Sequence, residues 1–352
     1  MHHPTTGLAL RNRLNHSSNV RRVRWFGPVA LMIGWLLAAP LAHAAKSDYR
    51  MPQMQHPADN LPTAPRVSLG KTLFFDPRLS GSRWISCATC HNPTLGWSDG
   101  LPTALGNGMQ GLPRATPTVV NTGFNSFQFW DGRARTLEAQ ALGPITSNGE
   151  MARNMDDLLA ELQTIEGYRE LFEAAYPGDG ITADTLSKAL AAYQRTLISP
   201  EAPFDRWVQG AEDAISDSAK RGFALFEDKA RCSVCHTGFN FQDNGFHNIG
   251  VTQQEADLGR YNIRPVKVLY GAFKTPTLRE ISRTAPYMHN GIYDDLEAVI
   301  EHYDRGGDEL ENLSPNMQPL NLTPDEKIDL LAFLQTLDSA NPIPVTLPNL
   351  PQ

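Results

Sequence analysis

The sequence predicts a mainly α fold, two similar halves in tandem with long structured loops. An internal repeat gives the tandem arrangement. Gly70-Lys71-Thr72-Leu73-Phe74-Phe75-Asp76 and Gly222-Phe223-Ala224-Leu225-Phe226-Glu227-Asp228 both read Gly-x-x-Leu-Phe-x-Asp. A second echo ends each half: Ala192-Tyr193-Gln194-Arg195-Thr196-Leu197 against Ala332-Phe333-Leu334-Gln335-Thr336-Leu337. No stretch alternates polar and apolar residues in the way a strand requires. The 27 Gly and 26 Pro among 352 residues imply many fixed turns.

From the N-terminus, residues 1–44 hold five Arg and no acid, with an apolar run over 25–39 and then Ala42-His43-Ala44. This reads as a secretory signal peptide cut after Ala44. The competing reading is an uncleaved anchor, but the run is short, holds Gly27, Pro28 and Gly34, and is followed by Pro40. Losing five Arg and no acid takes the net charge from −7 to −12. So acidic a chain lacks the basic excess that nucleic acid requires. No later apolar run is long enough to span a bilayer, so no integral membrane protein is expected after cleavage.

The expected order continues with an N-terminal extension at 45–65 and a first domain at 66–200 that ends in a helix at 182–199. A boundary falls at Pro200-Glu201-Ala202-Pro203, followed by a second domain at 203–340 and a tail at 341–352. Within the second domain, 294–304 reads as a helix whose Leu296, Val299, Ile300 and Tyr303 form one stripe. His302 points about 100° away from Tyr303 on that wheel and reads as solvated or as a supporting group. Thr323-Pro324-Asp325-Glu326 is a capping box with Pro at the first helical position.

All four Cys lie in two copies of one pentapeptide, Cys87-Ala88-Thr89-Cys90-His91 and Cys232-Ser233-Val234-Cys235-His236. Cys-x-x-Cys-His is the c-type haem attachment pattern. Two thiols add to the two vinyl groups of one haem, and the next His reaches the iron. A thioredoxin-like pair would need a single motif in a βαβ context. A zinc site or two plain disulfides would leave both His unexplained. The expectation is two covalent haem c groups in two cytochrome c-like haem domains, with His91 and His236 on the irons.

After residue 44 the remaining His are His56, His91, His236, His247, His289 and His302. None lies between His91 and His236, so haem 1 has no local imidazole for its far side. Met109, Met151 and Met155 remain there, and packing explains them as well as ligation. For haem 2 the spacing leaves Tyr303 as either core residue or iron ligand, with Met288, His289 and Met317 competing.

On these residues the chain resembles the bacterial di-haem cytochrome c peroxidase family, and within it the MauG-type branch. The resemblance covers essentially the whole mature chain. It rests on Ser86-Cys87-Ala88-Thr89-Cys90-His91-Asn92, Gln128-Phe129-Trp130-Asp131-Gly132-Arg133-Ala134, Gly143-Pro144-Ile145 with Glu150-Met151, and Thr275-Pro276-Thr277-Leu278-Arg279 running into Ala285-Pro286-Tyr287-Met288-His289-Asn290-Gly291. It implies that haem 1 reacts with peroxide and haem 2 transfers electrons. It places Trp130 between the haems, Gln140 and Glu150 on the far side of haem 1, and Pro144 in the wall of that pocket. Tyr303 takes the distal position of haem 2, where ordinary members carry Met. Carbonyls of Thr284 and Pro286 are implied donors to a calcium between the domains.

Two departures matter. The loop His that caps haem 1 in ordinary members is Asn107 here, which implies an open resting pocket. The Asn that approaches calcium is Ala115 here, which weakens that site. Chemistry of the side chains agrees. A carboxylate such as Glu150 can move a proton between the two peroxide oxygens while Gln140 holds them. A phenolate, hard and anionic, favours a more oxidised iron than a thioether does.

Three functions follow. The first is an exported, periplasmic MauG-type enzyme that uses hydrogen peroxide to oxidise a partner protein's side chain, a Trp. The second is a peroxide-removing cytochrome c peroxidase fed by a small cytochrome or cupredoxin. The third is a di-haem electron carrier that is not an enzyme. Asn107 and Tyr303 favour the first over the second, and the missing His near haem 1 disfavours the third.

Overall fold

The computed structural model describes residues 46–252, 257–308 and 311–352. The expected signal peptide lies outside the described residues. Among those described, ten α-helices carry the fold. The first half holds α1 (Ala64–Phe75), α2 (Cys87–Cys90), α3 (Leu137–Thr146), α4 (Met155–Thr164), α5 (Glu166–Ala175) and α6 (Ala183–Gln194). The second holds α7 (Pro203–Val208), α8 (Asp217–Glu227), α9 (Leu296–Arg305) and α10 (Pro324–Gln335). Two two-residue strands, β1 (Phe246–His247) and β2 (Phe273–Lys274), pair antiparallel with Phe246 opposite Lys274. The mainly α expectation holds, with long irregular connections between helices.

Local chemistry sets the helix ends. Thr63, Thr136, Thr182, Ser216, Asp295 and Thr323 each accept a backbone N–H of the following turn. Thr323 and Glu326 form the expected capping box. α9 starts at Leu296 because Asp295 is its cap, and it stops at Gly306, whose φ of 84° is the left-handed conformation that glycine adopts without strain.

The repeated glycines have one job in both halves. A Cβ on Gly70 of α1 would lie 1.9 Å from the carbonyl oxygen of Ala189 in α6. A Cβ on Gly222 of α8 would lie 1.9 Å from that of Asp329 in α10. Each half is therefore built on a helix crossing that only glycine permits. Around the first crossing Leu69, Leu73 and Phe74 are buried with Leu186, Leu190 and Tyr193. Around the second, Phe226 packs with Phe204, Phe241 and Phe333.

The chain ends cross over. Tyr49, from the N-terminal extension, is buried in the second core against Phe204, Phe223 and Phe241, and its hydroxyl donates to Glu227. Ile343 and Val345, from the tail, pack on the first core, and Arg78 holds the carbonyl of Pro351 at 2.9 Å. Between the halves, half-buried Arg114 donates to Asp131 at 2.8 Å and to Asp257 at 2.7 Å. Asn121 donates to Asn240 at 3.1 Å.

Gly222→Ala tests the crossing. In an exposed helix that change gains about 1 kcal/mol. Here the added methyl must push α8 from α10, and a loss of about 1–3 kcal/mol is expected in urea unfolding. A variant more stable than the parent would remove the crossing as a constraint.

Candidate functional site

Each pentapeptide makes one tight turn. His91 N–H donates to the carbonyl of Cys87 at 2.8 Å, and His236 N–H to that of Cys232 at 2.8 Å. The turn brings both thiols and the imidazole of each motif to one cavity wall. Nδ1 of His91 donates to the carbonyl of Trp97 at 3.2 Å, and Nδ1 of His236 to that of Phe241 at 2.8 Å. Both rings therefore carry the proton on Nδ1 and leave the Nε2 lone pair for a metal. Burial holds His236 at a pKa of about 4 and also lowers His91, so both are neutral.

The thiols are half-buried. Burial, then each pair's mutual repulsion, pushes Cys87 and Cys232 up to about 12, and burial pushes Cys90 up to about 11. Such thiols are poor thiolates, unlike a thioredoxin-type pair, whose reactivity depends on a lowered pKa. Two thiols, one neutral imidazole and a cavity beside them fit a covalent haem c in each half. Cys235, Asp243 and His247 also cluster closely enough to hold a metal ion. Cys235 belongs to the attachment motif, and His247 Nε2 is already held by Asp243 at 2.8 Å, so the group is a wall of the second cavity.

The first cavity encloses about 1220 Å³ and is lined by Phe74, Cys87, Cys90 and His91 on one side. Gln140, Pro144, Ser147 and Glu150 line it too. Gln140 and Pro144 stand four residues apart on α3 and so share a face. Pro144 has no N–H for the Gln140 carbonyl, which leaves that turn without its helical bond. Glu150 follows in the turn after α3, its N–H held by Ser147 at 3.1 Å. Asn107 is absent from the cavity lining, and its backbone N–H donates to the Gly149 carbonyl at 2.9 Å. Met109 is 60% exposed, whereas Met151 is buried in the first core at the cavity edge and Met155 packs against that core.

The second cavity is largely apolar, with Phe226, Leu278, Ile300 and Leu330 in its walls. Tyr303 faces it together with His236, Met288 and Met317. No side chain among the described residues bonds the Tyr303 hydroxyl. Burial first, then the neighbouring Cys232 and Cys235, raises its phenol well above the usual tyrosine range. A cation at that oxygen reverses this preference.

His302 is not solvated. It is fully buried, donating from Nε2 to the carbonyl of Ile249 at 2.8 Å, with Nδ1 paired to the Tyr293 hydroxyl at 2.9 Å. The wheel placed it correctly away from the cavity; a loop the helix plot cannot show covers that face. Thr284 and Pro286 line neither cavity. Ala115 acts through its backbone, donating to the His289 carbonyl at 2.8 Å and accepting from Trp130 Nε1 at 2.9 Å.

Trp130 and His289 line both cavities. Their rings meet edge to face at 6.4 Å, and His289 stacks on Phe273 at 3.6 Å. Burial lowers His289 to about 4, so it too is neutral. The sequence offered His289 only as a competing ligand for haem 2; its place between the cavities was missed. Buried Lys274 was also missed. Its N–H donates to the Trp130 carbonyl at 2.8 Å, and its ammonium donates to the Thr275 carbonyl at 2.7 Å.

Known proteins bear on this arrangement. The di-haem cytochrome c peroxidase family profile matches residues 64–213, and the cytochrome c profile matches residues 219–338. The chain is 50% identical to the methylamine utilization protein MauG of Methylorubrum extorquens, with 88% of each chain covered. It is 36% identical to the cytochrome c551 peroxidase of Pseudomonas aeruginosa over 78% of this chain and 79% of that one. A crystal structure of a MauG-like protein associated with microbial copper homeostasis superposes with a TM-score of 0.77 at 30% identity, covering 82% of this chain and 94% of that one. No helix among the described residues is long and apolar enough to cross a membrane. Two attachment turns, each with a neutral histidine aimed into its own cavity, thus meet a match along nearly the whole chain: it belongs to the di-haem cytochrome c peroxidase family, on the MauG side, and is an oxidoreductase that carries two haem c groups.

Proposed function

We propose that this protein is a periplasmic enzyme that takes hydrogen peroxide at the first haem and oxidises a side chain of a partner protein, a tryptophan, by way of the second. The observation that carries the reading is the sharing of Trp130 and His289 by both cavities. Bound haem c supplies the iron that cleaves the peroxide bond and stores oxidising equivalents. The chain supplies the rest. Glu150 takes the proton from the inner peroxide oxygen and returns it to the outer one, so that water leaves. The Gln140 amide holds the outer oxygen, and the Pro144 ring limits water beside it. Trp130, fixed by its bond to Ala115, passes electrons between the two haems. Tyr303, whose hydroxyl faces the second cavity, would hold the second haem's iron and as an anionic oxygen would favour its oxidised state. A calcium ion held by the carbonyls of Thr284 and Pro286 belongs to the same reading, without a side-chain donor at Ala115.

Glu150→Gln is expected to keep two haems per chain, by pyridine haemochrome and intact mass. It should slow the second-order reaction with peroxide by about 10²–10⁴-fold. An unchanged rate would make Glu150 structural.

Peroxide removal fed by a small redox protein is the second reading, favoured by the match to the cytochrome c551 peroxidase. Tyr303→Met separates the two. After peroxide is added to the fully oxidised parent, ferrocyanide is expected to titrate two retained equivalents minutes later. The Met variant should keep both haems and lose those equivalents. Retention in the Met variant would favour the second reading.

A further inference from the structure

We propose that residues 260–268, with Arg133 and Arg135 beside them, form the docking surface for a partner protein whose contact face is acidic around an apolar centre. The proposal rests on the reading that the haems exchange electrons with another protein, and it names where and with what chemistry. Residues 258–278 hold Arg260, Arg264, Lys267 and Lys274 and no acid, in a chain of net charge −7 overall. Residues 262–268 are seven exposed residues in a row, the longest such run among those described. Three of them are aliphatic: Ile263 is 44% exposed, Val266 43% and Val268 71%. An apolar patch with a cationic rim, on an acidic protein, suits an acidic protein face. It suits a nucleic acid poorly, since that offers few aliphatic contacts.

The surface is preformed. Arg260 Nη1 donates to the carbonyls of Asp131 at 2.8 Å and Gly132 at 2.7 Å, and the rings of Tyr261 and Tyr270 pack at 5.5 Å. Arg135 and Arg260 both lie 5.1 Å from the Phe127 ring, so two cations from different halves share one face. The position fits electron exchange. Asn262 lines the first cavity and Gly271 the second, and the two carbonyls that hold Arg260 directly follow Trp130 in the chain.

Fully succinylated horse cytochrome c is a suitable probe. It is acidic and has no free amines, so a carbodiimide joins its carboxylates only to lysines of this chain. With the holoprotein at low salt, the dominant cross-link is expected at Lys267, weakening as salt shortens the Debye length to about 3 Å at 1 M. Cross-links spread over Lys71, Lys188, Lys220, Lys229 and Lys327 would overturn the proposal. So would Lys267 joined mainly to a second copy of this chain.

In turnover, one hydrogen peroxide and two protons become two waters while two ferrous succinylated cytochromes are oxidised. Arg264→Glu and Val268→Asp are each expected to lower kcat/KM for that donor about tenfold at low salt. The reaction with peroxide alone should be unchanged. Unmodified, basic cytochrome c should be the poorer donor to the parent. Equal rates for parent and variants would also overturn the surface. If peroxide does not react at all, the functional reading fails, while the cross-link map still decides the docking surface.

Discussion

Two helix crossings, each closed on a glycine, fix the distances on which everything else depends. At Gly70 and Gly222 a backbone carbonyl of the partner helix occupies the space a side chain would need. The consequence reaches the haem cavities four residues later. Phe74 and Phe226 follow their glycines by one helical turn, and each lines the cavity of its own half. The attachment turns come after the same helices and open into the same cavities. A wider crossing would move the aromatic wall away from the histidine it faces, so the repeat is a repeat of geometry first.

Burial then sets the state of the imidazoles that line the cavities. Both histidines keep their Nδ1 proton on a backbone carbonyl and stay neutral, so a metal meets a lone pair already aimed. The thiols of Cys87, Cys90 and Cys232, raised by burial, stay protonated until they are consumed in thioether bonds. The Tyr303 phenol, raised by burial, gives up its proton only to a stronger charge than solvent offers.

Much of this was legible in the sequence, and the reasons differ by residue. The pentapeptides were legible because attachment needs fixed spacing within one turn. Gly70 and Gly222 were visible as a repeat, though the sequence did not say that a carbonyl lies against each. Thr323 to Glu326 was legible because capping is local. Tyr49 was not, because its partners Phe204, Phe223 and Phe241 are more than 150 positions away and no pattern links them. His302 stayed open between a solvated and a supporting place for the same reason: the Ile249 carbonyl that buries it comes from a loop 53 residues earlier. His289 stood inside a motif already singled out, next to Met288, yet its position between the cavities follows from the packing of Phe273 and Trp130, which sequence spacing does not encode.

The two cavities also divide the labour that a proton-coupled oxidation demands. The first collects Glu150, Gln140, Ser147, Asp131 and Arg114, groups that hold water, protons or an anion. The second is walled by Phe226, Leu278, Ile300, Leu330 and Leu334, a medium in which a separated charge is costly and proton traffic is slow. On the proposed function, chemistry that moves protons with electrons belongs in the first, and storage of an equivalent without proton exchange belongs in the second. What joins them must then carry electrons and no net charge. Trp130 meets that condition by nature. His289 meets it because burial keeps its ring neutral well below the working pH, and stacking on Phe273 keeps it in place between the two.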